Sequence, residues 1–191
     1  MAKRKAKQKS SMLGWAMLAV VLIGAVLLVV GVFLNWTQVN TESVIGNAKG
    51  GETTLSEYAE MIQKGKEADD ALGDLGSLVG AKPESVIDGK MAGMVAFAYL
   101  TMIAGAVTAV LFLLTRVLNI GLLRLLARIG AAATLVCLVV MLICTIVFTS
   151  GFGAAMGELV KVTMVPAVGA WLAIIGGAMV GAGALVGASQ K

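Results

Sequence analysis

Histidine is absent from the 191 residues, and cysteine and proline occur twice each. Without histidine the chain lacks the side chain that most often serves as a general base near neutral pH and the commonest nitrogen ligand for metals. The cysteines, Cys137 and Cys144, stand seven residues apart inside one apolar stretch. On a helix they would share a face about 10 Å apart along the axis, too far to bond to each other. They read as packing thiols, with no metal or cofactor implied. The polar segments contain no cysteine, so no disulfide framework holds them. Charge is also scarce, at 14% of residues, and four stretches have none: 12–34, 91–115, 129–149 and 165–187.

What fills the chain is apolar. Hydrophobic residues make up 59% and mean hydropathy is +0.93, well above the roughly 45–50% apolar usage of soluble domains. At about 1.5 Å per residue, the shortest stretch crosses a hydrocarbon core of about 30 Å. The runs are too long and too uniform for barrel strands, which need about 9–11 alternating residues. The expected fold is an all-α membrane protein: four transmembrane helices in a bundle, with a small, partly helical outer segment.

The net charge of +4 is a matter of placement rather than of nucleic-acid binding. Lys3, Arg4, Lys5, Lys7 and Lys9 precede the first stretch, Arg116, Arg124 and Arg128 lie between the second and third, and Lys191 follows the fourth, with no acid among them. Segment 35–90 carries ten acids and five lysines, and Glu158 balances Lys161 in 150–164. The positive-inside rule then places residues 1–11, 116–128 and 188–191 in the cytoplasm of a multi-pass cell-membrane protein, with 35–90 and 150–164 outside. The first apolar run exceeds the roughly 7–15 residues of a cleaved signal peptide and lacks a small-residue cleavage site, so it reads as a retained signal anchor.

Trp15 and Trp36 flank the first span at the two interfaces, where an indole buries its ring and donates its N–H. Asn35-Trp36-Thr37 has a glycosylation pattern but abuts the membrane. In the outer segment, Thr54-Leu55-Ser56-Glu57 has the form of a capping box, predicting a helix to about Ala71, interrupted in propensity at Gly65. Leu55, Ala59 and Ile62 would line its buried face, docking on the bundle, the membrane surface or another protein. Gly46, Gly50 and Gly51 fail the phosphate-loop pattern because Glu52 follows, and read as a flexible turn. Glu67, Asp69, Asp70 and Asp74 lack the order of a calcium loop and read as a solvated acidic face.

Between the second and third spans, Arg124 and Arg128 stand i,i+4 on one face, and with Arg116 they suit a short interfacial helix that retains the connection in the cytoplasm. The fourth span has the clearest packing signal. Gly169, Ala173, Gly177 and Gly181 recur every four residues, a spacing that lets helix backbones approach closely in lipid. Gly24 and Gly31 of the first span, and Gly105 and Ala109 of the second, are candidate counterparts. Pro166 is expected in the first turn of that helix.

Gly31-Val32-Phe33-Leu34-Asn35-Trp36, Asp88-Gly89, and Gly169-Ala170-Trp171-Leu172-Ala173-Ile174-Ile175-Gly176-Gly177 resemble the span edges of small, uncharacterised bacterial four-span membrane proteins. The layout is also similar to that of claudin-type tetraspans, which likewise have a first outer loop of about fifty residues. It departs from their W…G-L-W…C…C motif, since residues 35–90 hold no cysteine.

No span contains an ionisable group of the kind that marks proton relays and coupled transporters, and no nucleophile motif lies in a span. The expected role is therefore non-catalytic: a scaffold or accessory subunit binding membrane lipids and other membrane-protein subunits, or a second copy, through the outer segment and the glycine seam. An oligomeric pore or transport component and a membrane sensor are the alternatives.

Overall fold

The computed structural model describes the backbone of residues 2–43, 46–79, 89–118, 120–151, 155–156 and 160–189. Its elements run α1 (Ala2–Phe33), β1 (Asn35–Ser43), β2 (Gly46–Thr54), α2 (Leu55–Val79), α3 (Gly89–Leu118), α4 (Gly121–Gly151), β3 (Ala155–Met156), β4 (Val160–Pro166) and α5 (Val168–Ser189). Four helical segments are long and apolar enough to cross a membrane: Leu13–Phe33, Gly89–Leu118, Gly121–Ser150 and Val168–Ser189. They pack together, so the expected four-span bundle is present.

The helices neighbour one another in the order α1, α5, α4, α3, with α1 on α5 and α3 on α4 as the intimate pairs. The start of α1, the end of α3, the start of α4 and the end of α5 share one end of the bundle. The described strands lie at the other. The spans also extend beyond the charge-free runs. Rather than forming a separate helix, residues 116–118 complete α3 and 121–128 are the first two turns of α4. Arginine at a helix end leaves its charged head in a polar layer, so it does not terminate the helix.

Opposite the basic end lies a sheet that hydropathy did not announce. Its strands run antiparallel in the order β2-β1-β4-β3, and the two-residue β3 only extends one edge. β1 pairs along nearly its whole length with β4, from Thr37↔Pro166 to Ser43↔Val160, so residues some 120 positions apart meet. Two expectations change here. Gly46, Gly50 and Gly51 belong to strand β2 rather than a flexible turn, and a methyl group at Gly50 would lie 2.9 Å from the Val39 carbonyl oxygen. Pro166 ends β4 opposite Thr37 of β1 instead of opening α5, beyond the reach of β3, and the next residue's N–H, that of Ala167, makes the bond to the Trp36 carbonyl of β1.

Side chains are described for residues 13–40, 50–67, 89–118, 120–150 and 163–189. Buried apolar residues form two clusters. One lies beneath the sheet around Trp36, Leu55, Tyr58, Met94 and Met141, and the other lies toward the basic end around Val21, Phe112, Val180 and Ala184. Leu22, Val26, Ile103, Val110, Val136 and Ile143 point outward and are exposed, as a bundle with lipid for solvent requires.

Candidate functional site

The sheet and α2 form a polar cap on one end of the bundle, and its construction starts at a helix N-terminus. Thr54 and Glu57 make the reciprocal bonds of a capping box: the Thr54 N–H donates to Glu57 Oε2 at 2.7 Å, and the Glu57 N–H to Thr54 Oγ1 at 3.3 Å. This fixes the start of α2 immediately after β2. The buried face then follows helical spacing, with Leu55 and Tyr58 in the core and Ala59 and Ile62 packed against it. α2 packs on the bundle, one of the three docking surfaces the sequence allowed.

Tyr58 is the pin. Its hydroxyl donates to Met164 Sδ at 3.7 Å and lies 2.6 Å from Thr37 Oγ1. Either hydroxyl of the Thr37–Tyr58 pair can donate to the other, and Met164 sulfur is a second, weaker acceptor for the phenol. The relay joins β1, α2 and β4. The Tyr58 ring meets Phe148 of α4 edge-on, with centroids 5.5 Å apart, a favoured aromatic geometry. The cap is thus tied to the bundle by side chains as well as by chain connections.

At the foot of the cap the Asn35 amide donates to Glu52, joining β1 to β2, and the Ala167 N–H donates to the Trp36 carbonyl at 2.8 Å. A polar groove of about 300 Å³ runs between β2 and α2, lined by Glu52, Thr53, Glu57, Glu60, Met61 and Lys64. Met61 is 52% exposed among these charges. No group of three or more His, Cys, Asp or Glu is placed to hold a metal ion among the described residues. The side chains of Asp69, Asp70 and Asp74 lie outside the described residues.

The remaining singled-out residues are distributed through the bundle. Trp15 is 65% exposed on α1. Trp36, expected as an interfacial anchor donating its N–H, is instead fully buried under the sheet, and its Nε1 has no hydrogen-bond partner among the described residues. The reason is the strand that begins at Asn35, which folds back over the bundle and carries the indole into the core. Trp171, 55% exposed in the first turns of α5, is the outward-facing tryptophan at that end.

The four-residue stripe does not act as one seam. A methyl at Gly169 would lie 2.7 Å from the Gly31 carbonyl oxygen and 2.6 Å from that of Asn35, and one at Gly31 would strike the Ala173 amide. Gly176, outside the stripe, meets Gly24 in the same way at 2.6 Å. Gly177 and Gly181 instead receive Leu138 and Leu135 of α4, whose side chains would lie 2.9 and 2.5 Å from a methyl added at each glycine. A repeat of four lags the helix period of 3.6, so the stripe rotates from one neighbour to the next. Gly24 and Gly31 are counterparts of α5 as expected, whereas Gly105 faces Leu28 of α1.

The arginines gather at the opposite end. Arg128 donates through Nε and Nη2 to the Ala188 carbonyl at 3.2 and 2.7 Å, and Arg116 Nη2 to that of Gly187 at 3.2 Å. Both supply donors to the terminal carbonyls of α5 and place positive charge at the negative end of its dipole. Arg124 stands half-buried on α4.

Sequence reading missed the buried threonines of α3 and α4: Thr101, Thr108, Thr115, Thr134, Thr145 and Thr149. Their signal was the seven-residue spacing of Thr101, Thr108 and Thr115 on a single helix face. Thr134 donates to the Gly130 carbonyl at 2.9 Å, which leaves Thr108 to donate to Thr134 across the helix pair at 3.1 Å.

No protein-family model matches the chain, and no curated protein matches it in sequence. The four-span architecture therefore stands on its helices alone.

Proposed function

We propose that this chain is a non-catalytic scaffold or accessory subunit of a membrane complex, and that it meets its protein partner at the cap. One observation carries the reading. α2 is pinned to the bundle through Tyr58 while its other face, with Glu57, Glu60, Met61 and Lys64, stays open along the groove beside β2. A fixed helix presenting mixed charges around one exposed thioether is a recognition surface of low ordering cost. The glycine contacts between α1 and α5 support this placement, because they occupy within the chain the surface that would otherwise recruit another helix. In this reading the basic end is cytoplasmic and the acidic cap is outside, following the charge distribution.

The test is co-purification in mild detergent at native expression, comparing the natural chain with M61R and with the lipid-facing substitution V136L. The reading expects a stoichiometric complex that M61R disrupts and V136L leaves intact. A chain that is alone and monomeric, or a complex indifferent to M61R and to charge reversal at Glu60, would overturn it.

A further inference from the structure

The loosest side of the helical ring is between α1 and α3. A groove of about 420 Å³ opens there, walled by Ala25, Val26 and Val29 of α1 and by Ala106, Ala109 and Val110 of α3. Alanines form much of its floor, and among the described residues its lining is wholly apolar. A volume of this size is in the range of small-molecule sites.

Toward the basic end, the groove's last α3 residue, Leu113, is followed one turn later by half-buried Arg116. The guanidinium reaches across to α1 beyond the groove's lining: a methyl on Gly14 of α1 would be 2.5 Å from Nη1, and the Phe112 ring centroid is 5.4 Å away. Among the described residues its interactions are with a carbonyl oxygen, at Gly187, and with that ring face, and Nε has no hydrogen-bond partner there. None of these neutralises a permanent charge. No acid occurs in residues 1–41 or 89–157 to do so from nearby sequence. Trp15, exposed beside Gly14, marks this level as interfacial.

An apolar groove that leads toward a cation with no carboxylate partner among the described residues, beside an interfacial tryptophan, has the polarity of a lipid, with a hydrocarbon chain leading to an anionic head. We propose that the α1–α3 groove holds an acyl chain of one anionic phospholipid whose head is drawn to Arg116. Basic residues at the membrane surface attract anionic lipids individually and modestly, so the groove supplies retention and the arginine supplies the choice of headgroup. The inference is independent of the cap reading, since neither Arg116 nor the groove touches the cap.

Native mass spectrometry of the full chain in detergent doped with phosphatidylglycerol or phosphatidylcholine tests it. One phosphatidylglycerol should be retained about fivefold more strongly than phosphatidylcholine. A106F, which fills the groove, should reduce retention of both lipids. R116Q should remove the preference and R116K should preserve it. Inorganic phosphate should not displace the bound lipid, because it lacks the chain. Equal retention of the two lipids, full retention by A106F, displacement by phosphate, or a groove filled by another protein's helix would each overturn the proposal. Helical circular dichroism of each variant distinguishes loss of the site from loss of the fold, and A106F decides the matter if R116Q does not fold.

Discussion

At the scale of single residues, the cap depends on a phenol. Y58F would keep the ring against Phe148 but strand the Thr37 hydroxyl, which is buried at 0% exposure. The expected cost is about 1–2 kcal/mol, that of a lost hydrogen bond with one partner left unsatisfied, read as a lower midpoint in a detergent unfolding titration. T37V combined with Y58F should recover part of that loss, because both polar groups leave together. Thr108 and Thr134 make the corresponding pair within the bundle. Their double-mutant cycle to valine should show a coupling of about 0.6 kcal/mol, typical of hydrogen bonds between membrane helices; zero coupling would mean the two hydroxyls bond only to their own backbones. Neither contact was legible in the sequence. Threonine bonds readily to its own helix, as Thr101 does to the Phe97 carbonyl at 2.7 Å, so its presence alone does not announce a partner.

For the elements, hydropathy was a sufficient guide to the spans and an insufficient one to the strands. Each span must satisfy its own backbone in lipid, which leaves a long, readable apolar run. β1 and β2 are rich in Asn, Thr, Gly and Glu and have little apolar alternation, and β1 finds its second neighbour in β4, far away in the chain. Such strands are specified by pairing rather than by local pattern. The capping box was readable because its two bonds lie within four residues. For the glycine stripe, the spacing revealed that backbones touch but not which backbones, because the repeat drifts around the helix. G176A is the sharp case: its methyl would meet the Gly24 carbonyl oxygen at 2.6 Å and the Leu28 amide more closely still. Overpacking of this kind should cost about 1–3 kcal/mol. G121A, with nothing within 4 Å of the added methyl, should be neutral or slightly stabilising by helix propensity. Equal effects of the two in an unfolding titration would contradict the α1–α5 contact.

The molecule as a whole has two chemically distinct ends joined by an apolar bundle. At one end, arginines of α3 and α4 engage the terminal carbonyls of α5; at the other, two segments distant in sequence build the cap. That polarity was readable from charge placement, whereas the cap's shape was not, because its sheet closes only when α1 and α5 bring β1 and β4 together. The central claim is that the cap, rather than a helix face, is where this chain meets another protein. The most direct measurement is photo-crosslinking in native membranes, with a photoreactive amino acid placed at Met61 on α2 and, separately, at Val136 on the outer face of α4. The account predicts a discrete protein adduct from position 61 and only lipid adducts from position 136. A protein adduct from 136 with none from 61 would contradict it.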